Sequence, residues 1–130
     1  MTTSHKVFRQ SLLSLGLSVV LSAPLMAAPI QTSDSDEGEI LTNDAGMSLY
    51  VFDKDEAGVS NCNDKCAENW PPLAASKEDK ADGDYDIIKR ADDSLQWSYQ
   101  DQPLYLWKED KSPGDISGDG KFDVWHLATP

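Results

Sequence analysis

Apolar positions in this chain form one continuous block followed by short runs rich in aromatic residues. The block, Ser11–Leu25 (SLLSLGLSVVLSAPL), is apolar or small throughout. It follows a start, Met1–Gln10, that carries His5, Lys6 and Arg9 and no acid. A basic stretch ahead of an apolar stretch of this length is the secretory pattern, and it is short for a membrane span, which takes about 20 apolar residues. The small residues Ala27 and Ala28 follow, and cleavage is expected after Ala27, so residues 1–27 are read as a signal peptide. No cysteine lies near that boundary, so the expected product is periplasmic or secreted, without a lipid anchor and without membrane insertion. Gln31–Glu39 (QTSDSDEGE) offers nothing to a core. Residues 28–39 are therefore expected to be an acidic, disordered leader, and residues 40–130 the folded domain.

Within that domain the local signals favour strands. Ser48–Phe52 (SLYVF) and Pro103–Trp107 (PLYLW) are short and dense in β-forming residues. Asn43–Gly46 and Gln100–Gln102 read as the turns entering them, which makes Glu39–Thr42 and Leu95–Tyr99 their hairpin partners. Tyr85–Arg90 and Val124–Ala128 complete the strand candidates. One short helix is expected around Asn63–Asn69, stopped by Pro71-Pro72.

The runs repeat. Leu49, Tyr50, Phe52, Asp55 and Trp70 recur as Leu104, Tyr105, Trp107, Asp110 and Trp125, all at an offset of 55. Rare residue types held in register dictate architecture first. The expected fold is mainly β: one small domain of two pseudo-symmetric β-hairpin repeats, with copies near 40–73 and 95–128 and one short helix. A small α+β domain with more helix is the alternative. In a strand, residues two apart share a face, so Tyr50 and Phe52 should point one way together, as should Tyr105 and Trp107.

The motif Tyr-x-aromatic-x-x-Asp, as Tyr50–Asp55 and Tyr105–Asp110, resembles that of bacterial secreted or lipid-anchored repeat proteins of unknown function. The resemblance continues through Cys62-x3-Cys66-Ala67-x2-Trp70-Pro71-Pro72-Leu73, Gln96-Trp97-x-Tyr99, Pro103-Leu104-Tyr105, Pro113-Gly114-Asp115 and Trp125-His126. It spans nearly all of Leu41–Pro130. It implies an extracytoplasmic location and a repeat fold, and it brings no established activity or catalytic residue.

Charge narrows the function classes. The chain has 11 Lys+Arg against 23 Asp+Glu. Losing residues 1–27 removes Lys6 and Arg9 and no acid, which deepens the net charge from −12 to −14. Such a chain is a poor match for nucleic acid or an anionic membrane surface.

Three constellations carry candidate chemistry. Cys62 and Cys66 are the only thiols. On a helical turn their Cα atoms lie about 6 Å apart, within disulfide range, and export favours the bridge. So small a ring contributes about 2 kcal/mol. The same pair with His126, the one histidine outside the signal, could instead hold copper or act as a thiol redox pair. Asp115–Asp123 (DISGDGKFD) matches the first nine positions of a calcium loop, with oxygens from Asp115, Ser117, Asp119 and Asp123. His126 stands where that loop needs its bidentate Glu, so an Asp/Gly-rich surface turn is the first expectation for the segment and calcium the second. Asp55 and Asp110 could do paired acid–base work, or each could cap its own turn by accepting backbone N–H bonds. Trp97, Tyr99, Trp107 and Trp125 could line a ligand platform or fill the core. No serine triad, phosphate loop or dinucleotide fingerprint is present. The expected function is an exported periplasmic binding or interaction module, non-enzymatic, for an unknown ligand or envelope protein. A copper or thiol-redox protein is the second expectation and a calcium-stabilised domain the third.

Overall fold

The computed structural model describes residues 28–130, so the expected signal peptide lies outside the described residues. The first element corrects the sequence expectation. Ile30–Ser35 forms strand β1, paired antiparallel along its whole length with β2 (Gly38–Asn43), from Ile30 opposite Asn43 to Ser35 opposite Gly38. The expected disordered leader is thus an edge strand. Its side chains are mostly exposed on both faces, so it shows no apolar alternation; backbone pairing holds it, helped at its start by Ile30 packing on the second core cluster. Gly38, at φ 96°, permits the tight reversal, and Ser35 Oγ–H donates to the Gly38 carbonyl (2.6 Å) across it. β2 buries Ile40, Leu41 and Thr42.

The other expected strands are present, β6 with the expected bounds and the rest shorter. β3 is Tyr50–Phe52, β5 Tyr85–Lys89, β6 Leu95–Tyr99 and β8 Trp125–Leu127. The helix α1 covers Lys65–Asn69 and ends before the two prolines, as expected. Pro103–Trp107 is not a continuous strand. Only β7 (Gln102–Pro103) pairs with β6, after which Tyr105 bridges singly to Tyr50 and to Pro72. A two-residue strand β4 (Ala74–Ala75) pairs with β6 on the edge that β7 also uses, opposite β5, giving the order β4-β6-β5 with β7 off the path. β3 pairs with β8.

The two copies are not side by side; they interlock. β3 of copy one pairs with β8 of copy two, Tyr50 opposite Leu127. Tyr105 of copy two lies opposite Pro72 of copy one, the position 55 residues before Leu127. Ala128 N–H donates to Leu49 O (2.8 Å) and Leu73 N–H to Leu104 O (2.9 Å), which is the same bond seen from each copy. Tyr50 and Tyr105 exchange both backbone bonds with each other (2.8 and 3.0 Å), so the pseudo-two-fold passes between them. The β1–β2 hairpin matches β5–β6 in the same way. The chain is therefore mainly β, built of two related antiparallel units with one short helix, and each unit completes its pairing only with the other.

Period two sorts the side chains. Tyr50, Phe52, Tyr105 and Trp107 all belong to one core cluster, with Trp70, Trp125 and Cys62. Their strand neighbours Leu49, Val51, Leu104 and Leu106 face a second cluster around Trp97, Leu41 and Leu73. Deleting residues 28–35 tests the corrected amino-terminal strand. The shortened protein should melt lower, because β2 loses its partner and the hairpin equivalent to β5–β6; an unchanged melting temperature would mean that the segment contributes no structure.

Candidate functional site

The motif residues converge at the centre of the molecule, and they do so across copies. Tyr50 donates its phenolic O–H to Asp110 Oδ2 (2.6 Å), and Tyr105 donates to Asp55 Oδ2 (2.7 Å). Each tyrosine thus meets the aspartate of the other copy. The second oxygen of each carboxylate caps a following loop: Asp55 Oδ1 accepts from Asn61 N–H (2.6 Å), and Asp110 Oδ1 from Ser117 N–H (3.0 Å) and Ser117 Oγ–H (2.6 Å). The expected backbone capping is present, but it describes only half of what each carboxylate does. A hydrogen bond to an ionised acceptor contributes about 1.5–3 kcal/mol when buried, and both phenols are fully buried. Burial, joined by the adjacent carboxylate, pushes the ionisation of Tyr50 and of Tyr105 far above the ordinary tyrosine range, so both remain donors. Burial also raises Asp55, against the pull of Asn61 N–H, the Tyr105 hydroxyl and Arg90.

Arg90, Ser60 and Gln96 extend the Tyr105 arm, a role that sequence reading missed although Gln96 stands in one of the quoted motifs. Arg90 is buried and donates to Ser60 Oγ (2.9 Å), Gln96 Oε1 (2.7 Å) and the Cys62 carbonyl (2.6 Å). Ser60 Oγ lies 2.6 Å from the Tyr105 hydroxyl. Because Tyr105 gives its proton to Asp55, Ser60 donates to Tyr105, and a directed chain runs from Arg90 through Ser60 and Tyr105 to Asp55. Arg90 ends the Tyr85–Arg90 strand segment, where a basic residue ordinarily reads as a solvated strand end.

Around this centre the rings form a column. Phe52 stacks on Trp125 (centroids 4.2 Å), Trp125 on Trp70 (3.9 Å, planes 4° apart) and Trp70 on Trp107 (4.1 Å). Tyr50 meets Trp70 edge-on at 5.5 Å, and Tyr105 meets Trp125 edge-on at 5.1 Å. Edge-to-face and offset contacts of this kind contribute beyond simple burial. The column obeys the pseudo-two-fold, since Phe52 is equivalent to Trp107 and Trp70 to Trp125. Trp97 and Tyr99 belong to the other cluster, so the four aromatics proposed for one platform are divided between two cores.

The expected disulfide is present: Cys62 and Cys66 are bonded, with Cα atoms 5.2 Å apart. Neither sulfur is a free thiolate, and the His126 imidazole is engaged by Asp53 (2.8 Å), so the copper set is not assembled. The calcium positions are dispersed in the same way. Asp115 accepts from Lys111 and Ser112 N–H, which hold its carboxyl below the ordinary range. Asp119 accepts from Leu127 N–H, and Ser117 serves Asp110. Asp123 is exposed beside the 3-10 turn Lys121–Asp123. Among the described residues no three His, Cys, Asp or Glu side chains gather as metal ligands. An oxygen-rich loop resembles a cation site in sequence whether its carboxylates face a metal or, as Asp115 and Asp119 do here, backbone N–H groups of the flanking segments.

An open cleft of about 280 Å3 lies against the Asp55 side of the exchange. Its walls include Phe52, Asp53, Asp55, Glu56, Asp101 and Pro103. Gln100 and Asp101 on its rim both hold left-handed backbone, at φ 49° and 68°. No helix among the described residues is long and apolar enough to cross a membrane.

A family model described as a secreted repeat of unknown function matches this chain twice, at residues 31–74 and 86–129, together more than half of its length. The chain belongs to that family. No curated protein and no solved structure matches it significantly. The matched copies begin at β1 and β5, earlier than the sequence reading placed them, because each repeat of the family includes its leading hairpin strand.

In this secreted repeat protein one glycine tests how tightly the central rings are fitted. A Cβ on Gly118 would meet Trp70 at 2.9 Å and Tyr50 at 3.0 Å, and the Gly118 N–H donates to the Tyr50 hydroxyl (3.1 Å). Gly118→Ala should therefore cost about 1–3 kcal/mol by overpacking, measured by urea denaturation. A cost near zero would show that the rings have room to move.

Proposed function

We propose that the mature chain is an exported, non-enzymatic binding module of the periplasm, and that its cleft beside Phe52 receives a positively charged group. The observation that carries this reading is the composition of that cleft, where Asp53, Asp55, Glu56 and Asp101 surround an opening with one aromatic ring in its wall. Carboxylates in a concave wall concentrate cations, and a ring face adds cation–π attraction. The acidity of the whole chain acts in the same direction. The absence of a catalytic role is supported by the motif carboxylates, whose oxygens are taken up inside the fold. Export is supported by the basic and apolar start of the chain and by the secreted character of the family. A cationic side chain of an envelope protein is the partner of this chemistry.

An oligolysine peptide titrated into the mature protein tests it. Binding should be saturable, weaken with salt, and be mostly lost in the triple variant Asp53→Asn/Glu56→Gln/Asp101→Asn. Asn suits the left-handed backbone at 101, and Asp55 is left intact to preserve the fold. No binding, or equal binding by the triple variant, would refute the cleft as the site.

A further inference from the structure

We propose that the aromatic column is a relay that carries one-electron oxidation from the half-buried Trp107 to the fully buried phenols of Tyr50 and Tyr105. The inference stands apart from the binding cleft. Three indoles, those of Trp107, Trp70 and Trp125, are in continuous π contact at 4.1 and 3.9 Å. One phenol abuts each inner indole, Tyr50 on Trp70 and Tyr105 on Trp125. Each phenol O–H already points at a carboxylate oxygen, at 2.6 and 2.7 Å. Loss of an electron makes a phenol strongly acidic, so its proton shifts along a hydrogen bond that is already formed. The column therefore ends, on both sides of the pseudo-two-fold, in a group able to give up an electron and a proton together.

Three features give the relay a direction. Phe52 occupies the place that Trp107 has in the other copy, and a phenyl ring is far harder to oxidise than an indole, so one end of the column is inert. Lys121 Nζ lies 5.5 Å from the Trp107 ring centroid. Its ammonium opposes positive charge on that ring, whereas Asp110 and Asp55 favour positive charge near the inner tyrosines. Trp107 Nε1 is buried with no hydrogen-bond partner. An oxidised Trp107 thus has no acceptor for its indole proton, and the charge stays mobile rather than being trapped there as a neutral radical.

The step balances. A radical oxidant of the carbonate or peroxyl class takes one electron from the Trp107 indole. Trp70 replaces that electron, and Tyr50 replaces the electron of Trp70. The Tyr50 proton passes to Asp110 Oδ2. The net result is one oxidant reduced by one electron, one phenoxyl radical and one protonated carboxyl group. Tyr105 and Asp55 do the same through Trp125. In a secreted protein the relay draws oxidative charge off the indoles that hold the core together.

The test uses the mature protein with Tyr85→Phe and Tyr99→Phe, so that among its four tyrosines only Tyr50 and Tyr105 can give a tyrosyl signal. Photogenerated tris(bipyridine)ruthenium(III) serves as the one-electron oxidant, and transient absorption follows the radicals. A tryptophanyl signal should form first and decay as the tyrosyl signal rises. Trp107→Phe, which installs the ring that the other copy carries, should keep the melting temperature close to that of the parent and lose most of the tyrosyl yield. Absence of any tyrosyl signal in the parent would overturn the relay outright. An undiminished tyrosyl yield in Trp107→Phe would overturn Trp107 as its entry.

Discussion

The exchange of phenol and carboxylate between copies is the constraint on which the rest of the structure depends. Tyr50 reaches Asp110 and Tyr105 reaches Asp55, so neither copy can satisfy its own motif. A buried carboxylate without its donor carries a large desolvation cost. The two halves must therefore come together before either is stable. Strand pairing has the same logic, because β3 and β8 come from opposite copies. The ring column is a consequence: once Tyr50 and Tyr105 face each other on the pseudo-two-fold, Trp70 and Trp125 are brought flat against one another between them.

The copies meet this shared requirement by different means. Each carboxylate must be held where the opposite tyrosine can reach it. Copy one braces the loop after Asp55 with the Cys62–Cys66 bond and with Arg90, which ties the Cys62 carbonyl to Ser60. Copy two has no such bond. By the register of the capping contacts Gly118 stands where copy one has Cys62, and the loop is held instead by Asp115 and Asp119, whose carboxylates accept backbone N–H groups, and by Ser117, which donates its N–H and Oγ–H to Asp110. Gln96, fully buried in β6, occupies the position that Ile40 fills in β2, and it accepts from Arg90 while its amide donates to Leu104 O (2.8 Å).

The repeat was legible in the sequence because its markers are rare residues, Tyr and Trp, held at one offset, and the shared faces of Tyr50 with Phe52 and of Tyr105 with Trp107 followed from strand period alone. The pairing partners were not legible. Spacing within a copy places Tyr50 five residues from Asp55 and says nothing of Asp110, which approaches only through the interlocked topology. The amino-terminal strand was missed for a different reason. An edge strand exposed on both faces needs few apolar residues, so QTSDSDEGE reads as solvent-borne chain although its backbone is paired on both sides of the Asp36–Glu37 turn. The loop Asp115–Asp123 was open to two readings because capping oxygens and metal-ligating oxygens are the same residue types in the same kind of turn. Arg90 was invisible because its burial is made by Ser60, Gln96 and the Cys62 carbonyl, three contacts distant in sequence or unremarkable in type.

Double-mutant cycles on thermodynamic stability test the exchange most directly. Tyr50→Phe combined with Asp110→Asn should show a coupling energy of about 1.5–3 kcal/mol, as for a buried hydrogen bond to a charged group. Tyr50→Phe combined with Asp55→Asn, the pair within one copy, should be additive within about 0.5 kcal/mol. Coupling of Tyr50 to Asp55 with none to Asp110 would mean that each motif closes on itself, and would contradict the interlocked account of the fold.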